Sequence, residues 1–279
     1  MKAQTNTSGP PRISRWWLRL FTGYSRRYLA RHFHAVRLAP GNLCSLGETR
    51  PRSTNVRDGR PLVIYLNHSS WWDPLIAMLL ADGCFPGRPS FAPMEARQLA
   101  RYAIFRKLGV FGVEQGTARG ARDFLRASEA VLTQPNAILW LTPQARFADV
   151  RERPICFVKG LAGLARRFPR AEFLPLAIEY SLWSERLPEA LLRFGEPESG
   201  DELCGRFRTT AELTHHLETQ LTQTMDELAS DVISREADRF RMLLNGASGV
   251  SASYDVWRRL RAKVRSETFE AEHHPASSL

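Results

Sequence analysis

The residues best placed to do chemistry stand together in Asn67-His68-Ser69-Ser70-Trp71-Trp72-Asp73-Pro74. His68 and Asp73 are five positions apart, a spacing that turns them to different faces of a helix and to opposite faces of a strand. A strand–turn–helix junction can bring them together, with the carboxylate folded back onto the imidazole. That pair suits general base catalysis: Asp73 accepts from one ring nitrogen and fixes the tautomer, leaving the other nitrogen free to take a proton. A base held in this way is worth about 10²–10⁴-fold in rate. Spacing alone also admits a plainer reading, in which Asp73 caps a helix and His68 ends a strand. Ser69 and Ser70 read as turn residues, since no G-x-S-x-G elbow surrounds them. GxxxxGK[ST], GxGxxG and HExxH are absent as well, which argues against P-loop, Rossmann and zinc-peptidase chemistry.

The elements that must position this pair can be read around it. Leu62–Leu66 (LVIYL) is a short apolar run that predicts a buried strand, 67–72 the turn, and Asp73-Pro74 the start of a helix to about Ala81, with Asp as N-cap and Pro at N1. Helices are expected over 95–108, 117–133 and 159–167, and strands over 109–113, 137–141 and 173–180. One long amphipathic helix is expected from about 207 to 244. Strands alternating with helices predict a single α/β domain, with a mostly parallel central sheet flanked by helices. Residues 40–245 are assigned to that domain.

An amphipathic helix precedes it. Ile13, Trp16, Trp17, Leu20, Phe21, Tyr24 and Tyr28 share one face at a helical period, and Arg12, Arg15, Arg19 and Arg26 fall on the other. Beyond Tyr28 the stripe slips. Aromatic residues opposed to arginine suit a helix lying in a membrane interface, and equally one docked on a core with a solvated basic face. The expected membrane contacts are Trp16, Trp17, Phe21, Arg15 and Arg19, on a helical segment spanning 12–39. Residues 1–11 are expected to be disordered, and 246–279 to form a short helix and a polar tail.

Charge follows the same division. The chain of 279 residues has a formal net charge of +10, and residues 1–60 alone hold 12 Lys and Arg against Glu48 and Asp58. The rest is balanced. A basic front end could seek nucleic acid or an anionic membrane. Cys44, Cys84, Cys156 and Cys204 are far apart and form no zinc spacing, so neither a structural metal nor a disulfide framework is expected. His215-His216 and His273-His274 lack carboxylates at metal spacing. No run of 18 apolar residues predicts a transmembrane helix, and no apolar h-region predicts a signal peptide.

NHSSWWDP resembles the Asn-His-x4-Asp signature of the glycerolipid acyltransferase family, which includes the 1-acylglycerol-3-phosphate acyltransferases. Four further landmarks follow in the family's order. LGVFGVEQ (108–115) occupies the place of its glycine-led second motif, and LTPQARF (141–147) resembles a divergent Phe-Pro-Glu-Gly-Thr-Arg. Phe157-Val158-Lys159-Gly160 is similar to its Phe-Lys-x-Gly stretch, and Leu174-Pro175-Leu176-Ala177-Ile178 to its Val-Pro-Val-Ala-Ile strand. The resemblance implies transfer of a fatty acyl group from acyl-CoA or acyl-carrier protein to a lipid hydroxyl. His68 would be the base and Asp73 its orienting partner, with no metal and no cofactor beyond the thioester substrate. It implies substrate contacts at Asn67, Gln144, Ala145, Arg146 and Lys159, and a peripheral enzyme on the cytoplasmic face of an anionic membrane.

The departures bear on substrate. Gln144 and Ala145 replace Glu and Gly, Arg146 lies one position early, and Glu114-Gln115 stands where Asp-Arg is expected. One phosphate-clamping arginine is thus missing and one displaced, with Arg119 or Arg146 as stand-ins. The expected acceptor is a lysophospholipid or another hydroxylated lipid. Two alternatives are a catalytically lapsed membrane scaffold and a basic nucleic-acid-binding protein; the latter leaves the ordered motifs unexplained.

Overall fold

The computed structural model describes residues 10–40 and 59–247. The expectations for residues 1–9, for most of the 40–61 connector and for the C-terminal helix and tail therefore lie outside the described residues. In chain order the elements are α1 (Arg15–His32), β1 (Ala35–Leu38), β2 (Leu62–Leu66), α2 (Asp73–Cys84), β3 (Ser90–Glu95), α3 (Ala96–Arg101) and a 3-10 turn over Ala103–Lys107. They continue as β4 (Val110–Val113), α4 (Ala118–Leu132), β5 (Ile138–Leu141), α5 (Gly160–Arg167), β6 (Glu172–Ser181), β7 (Glu189–Phe194), β8 (Glu198–Ser199), α6 (Gly200–Arg206), α7 (Thr210–Ser234) and β9 (Arg241–Asn245).

The strands form one sheet in the order β4-β3-β5-β2-β6-β7-β1-β9, with β8 paired to β6. Pairs β4–β3, β3–β5, β5–β2, β2–β6 and β7–β1 are parallel; β6–β7, β1–β9 and β6–β8 are antiparallel. The domain is thus α/β with a mostly parallel sheet, as its alternating pattern predicts. β2 lies at the centre with all five residues buried, which is why it reads as an unbroken apolar run rather than an alternation.

Helices cover both faces of the sheet. On one, Val63, Tyr65, Leu139 and Phe173 pack against Val131 of α4, Leu161 and Leu164 of α5, and the ridge Leu213, Leu217, Leu221, Met225, Leu228 of α7. On the other, Leu62, Ile64, Leu66, Leu174 and Ile178 meet Leu29 of α1 and Leu75, Ile76, Leu79 and Leu80 of α2. Each fully buried leucine stabilises this packing by about 1.5–3 kcal/mol. Ser199–Glu202 and Thr209–Glu212 form capping boxes at the starts of α6 and α7, satisfying amides that would otherwise lack partners.

Two expectations are corrected. The helical segment expected over 12–39 stops at His32, and Ala35–Leu38 enters the sheet as β1. The slip of the apolar stripe after Tyr28 marks the change. Arg37 is buried and ion-paired with Glu189 of the neighbouring β7, a partner that only the sheet supplies. The helix expected over 207–244 begins at Thr210 and ends at Ser234. Arg235 takes a left-handed φ of 53°, and Arg241–Asn245 pairs with β1 instead.

Candidate active site

Three neighbouring parallel strands, β5, β2 and β6, end side by side, and the turns leaving them supply the site. A crevice at the carboxyl ends of parallel strands is where ligands bind in open α/β sheets. β2 ends in Asn67-His68, β5 runs into Thr142–Phe147, and β6 ends at Tyr180-Ser181.

Asn67 is buried and faces β6. Its Oδ1 accepts from the Ile178 amide at 2.8 Å, and its Nδ2 donates to the Ile178 carbonyl at 2.9 Å. Asn67, expected to contact substrate, splices the end of β2 to β6 and satisfies two buried backbone groups. That anchor sets where the next residue stands.

His68 Nδ1 lies 2.7 Å from Asp73 Oδ2, the contact expected of an oriented base. Asp73 is only 1% exposed. Rather than being a plain N-cap it is the first residue of α2, with Trp72 at the cap position and no side-chain cap bond. Its carboxylate turns back into the junction. Oδ2 also accepts from the Ser70 amide at 3.1 Å, and Oδ1 accepts from the Tyr180 hydroxyl at 2.6 Å. Burial, and then the neighbouring Asp73 charge, push the Tyr180 pKa well above its ordinary value. Tyr180 was not read as functional from sequence, although its place two residues past Leu-Pro-Leu-Ala-Ile puts it at the strand end.

The third landmark wraps the same turn. Gln144, 7% exposed, accepts from the His68 amide through Oε1 at 3.3 Å, and the Ala148 amide donates to the His68 carbonyl at 2.8 Å. Ala145 holds φ at 54°, the left-handed conformation that glycine adopts freely, and its amide donates to Thr142 O. Alanine has therefore not changed the backbone path, only its cost. Phe147 lays its ring 4.2 Å from the His68 ring yet is 58% exposed, making an apolar wall open to solvent.

The cations expected to meet phosphate are exposed. Arg146 is ion-paired with Glu152, which raises the Arg146 pKa and lowers that of Glu152. Arg119 lies 3.7 Å from Asp123 on the surface of α4, and Lys159 is exposed at the N-cap of α5. The nearby loop pairs Arg151 with Asp149 and Arg153 with Asp226.

On α1 the aromatic face divides. Trp17 stacks under Lys107 at 4.9 Å and Phe21 packs edge-on to Phe105 at 5.7 Å, so both turn toward the domain. Trp16, Leu20 and Tyr24 point outward at 61%, 49% and 55% exposure, flanked by exposed Arg12, Arg15 and Arg19. The stripe runs on through Tyr28 to Trp71, whose rings lie 5.8 Å apart, and so reaches the turn that carries His68. No helix among the described residues is long and apolar enough to cross a membrane. No group of three His, Cys, Asp or Glu among them could hold a metal ion; His216 pairs with Glu198 at 2.7 Å.

Comparison with known proteins gives the same grouping. The family model described as Acyltransferase matches residues 50–179, which span the dyad, the Gln144 turn and most of β6. No curated protein matches the chain by sequence. Among solved structures, the 1-acyl-sn-glycerophosphate (LPA) acyltransferase PlsC from Thermotoga maritima is similar in fold, with a TM-score of 0.51 and 16% identity over 76% of this chain and 80% of that one. Residues 50–179 are thus similar to the Acyltransferase family, and they lie on a fold similar to that of PlsC.

Proposed function

We propose that the chain moves a fatty acyl group from an acyl thioester, acyl-CoA or acyl-carrier protein, to the hydroxyl of a lipid acceptor. The observation that carries this reading is the closed His68–Asp73 contact at the carboxyl end of β2. With Nδ1 engaged, Nε2 takes the proton of the acceptor hydroxyl as its oxygen attacks the thioester carbonyl. Asp73 stabilises the imidazolium that forms. Collapse of the tetrahedral intermediate expels the thiolate, and the imidazolium returns the proton to it. The thioester is already activated, so neither a covalent enzyme intermediate nor a cofactor is required.

The amides of Arg146 and Phe147 make no backbone hydrogen bond among the described residues. Lying in the turn that wraps His68, they are the candidate donors to the developing oxyanion. Because Glu152 already occupies Arg146, a phosphate at that place must displace a carboxylate. This favours hydroxylated acceptors without a phosphate beside the hydroxyl, such as a glycosylated isoprenoid or an amino-acid lipid, over lysophosphatidic acid. The exposed Trp16, Leu20 and Tyr24 with their flanking arginines support peripheral attachment to an anionic, cytoplasm-facing membrane surface.

The test is thiol release from acyl-CoA and acyl-carrier protein against a panel of lipid hydroxyls, with the acylated product identified by mass. Turnover with at least one acceptor is expected. Release with none of them would leave the chain a scaffold of the same fold.

A further inference from the structure

Most of the groups around the dyad are accounted for by the backbone; the hydroxyl of Tyr180 is not. Its ring is wedged at the end of β6 between Trp72, 5.4 Å away, and Phe33, 5.7 Å away. A phenylalanine would fill that space equally well. What the hydroxyl adds is one bond, the 2.6 Å donation to Asp73 Oδ1. The other carboxylate oxygen already serves His68 Nδ1 and the Ser70 amide. With donors on both oxygens, the carboxylate cannot rotate without breaking a short hydrogen bond.

We propose that Tyr180 is a positioning residue for acyl transfer, pinning Asp73 so that Oδ2 faces His68 Nδ1 and Nε2 stays free for the acceptor proton. The inference rests on the acyltransferase reading above and extends it to a third side chain. Tyr180 itself moves no proton. Burial and the Asp73 charge favour its protonated, donating form. Without the hydroxyl, Oδ1 faces aromatic carbon with a lone pair unmet, and the carboxylate samples orientations that no longer hold the imidazole in one tautomer.

Tyr180→Phe is expected to lower kcat about tenfold, the scale of one charge-assisted hydrogen bond, with KM for both substrates unchanged. In an Asp73→Asn background the same substitution is expected to change kcat no further, because its route to His68 is already cut. A readout without substrate is the ¹⁵N spectrum of the imidazoles, with His68 assigned by its loss in His68→Ala. The wild type is expected to show His68 protonated at Nδ1 and Tyr180→Phe a mixture of tautomers. Incorporating 3-fluorotyrosine at position 180 keeps the packing while acidifying the hydroxyl, and is expected to move the His68 resonances in a folded protein. Unmoved His68 resonances in both variants would overturn the proposal, as would an equal loss of kcat with and without the Asp73 carboxylate. Should wild type turn over no acceptor, the acyltransferase reading fails, while the imidazole spectra still decide the role of Tyr180.

Discussion

At the scale of single residues, the junction brings together the His68–Asp73 pair proposed to do chemistry and groups that hold the backbone around it. Asn67 is bonded in the second way. Asn67→Ala leaves the buried amide and carbonyl of Ile178 without partners, each costing about 1–3 kcal/mol. We expect a loss of about 2–4 kcal/mol by denaturant unfolding, with KM for the acceptor unchanged in the protein that folds. A raised acceptor KM at undiminished stability would instead make Asn67 a substrate contact. Ala145 gives the opposite sign. Its φ of 54° costs about 1 kcal/mol relative to glycine, so Ala145→Gly is expected to raise Tm by about 2–4 °C. An unchanged or lower Tm would show that the turn is not strained by alanine. The dyad partners are legible from the Asn-His-x4-Asp signature and the landmarks that follow it, since their five-residue spacing alone also fits a helix cap and a strand-end histidine. Tyr180 is not, since a tyrosine at a strand end has no spacing relation to a histidine 112 positions earlier.

At the scale of elements, central apolar strands were readable and edge elements were not. β2, β5 and β6 are buried on both faces and announce themselves as apolar runs. β9 reads from sequence as the end of a helix because Arg241-Met-Leu-Leu-Asn carries no alternation and no glycine marks the break at Arg235. β1 reads from sequence as a continuation of the preceding helix because only Glu189, 152 residues later, makes a buried Arg37 tolerable. Long-range pairing of this kind leaves no local trace. The central strand also has a pH signature. Burial raises the Tyr65 pKa far above its ordinary 10.0, as burial and Asp73 raise that of Tyr180. Below pH 10 both are neutral in the folded and unfolded chain, so stability is at its full value. Above it, the unfolded chain alone loses those protons, and each tyrosine then lowers stability by about 1.4 kcal/mol per pH unit. Tyr65→Phe should therefore reduce the loss of stability between pH 10 and 11.5 in denaturant melts. An identical alkaline slope in the variant would contradict the burial argument.

At the scale of the whole molecule, a neutral catalytic domain stands behind a basic N-terminal region, and α1 joins the two. Its inner face, with Trp17, Phe21 and Leu29, holds the domain; its outer face, with Trp16, Leu20 and Tyr24, is left to solvent. Deleting the first 38 residues would remove β1 from the sheet and so cannot test attachment cleanly. Replacing Trp16, Leu20 and Tyr24 together with serine leaves the inner face intact. We expect at least a tenfold loss of binding to anionic vesicles in flotation, and weaker binding by wild type as salt rises. Undiminished flotation of the triple variant would move the attachment elsewhere. The stripe runs by way of Tyr28 and Trp71 to the turn that carries His68, so the surface proposed to meet lipid and the residue proposed to act on it share one side of the molecule. The most direct test of the account is the kcat/KM for acyl transfer of His68→Ala against wild type, on the best donor and acceptor found. The account predicts a loss of at least about 10²-fold with the fold retained; equal turnover in the two proteins would contradict it.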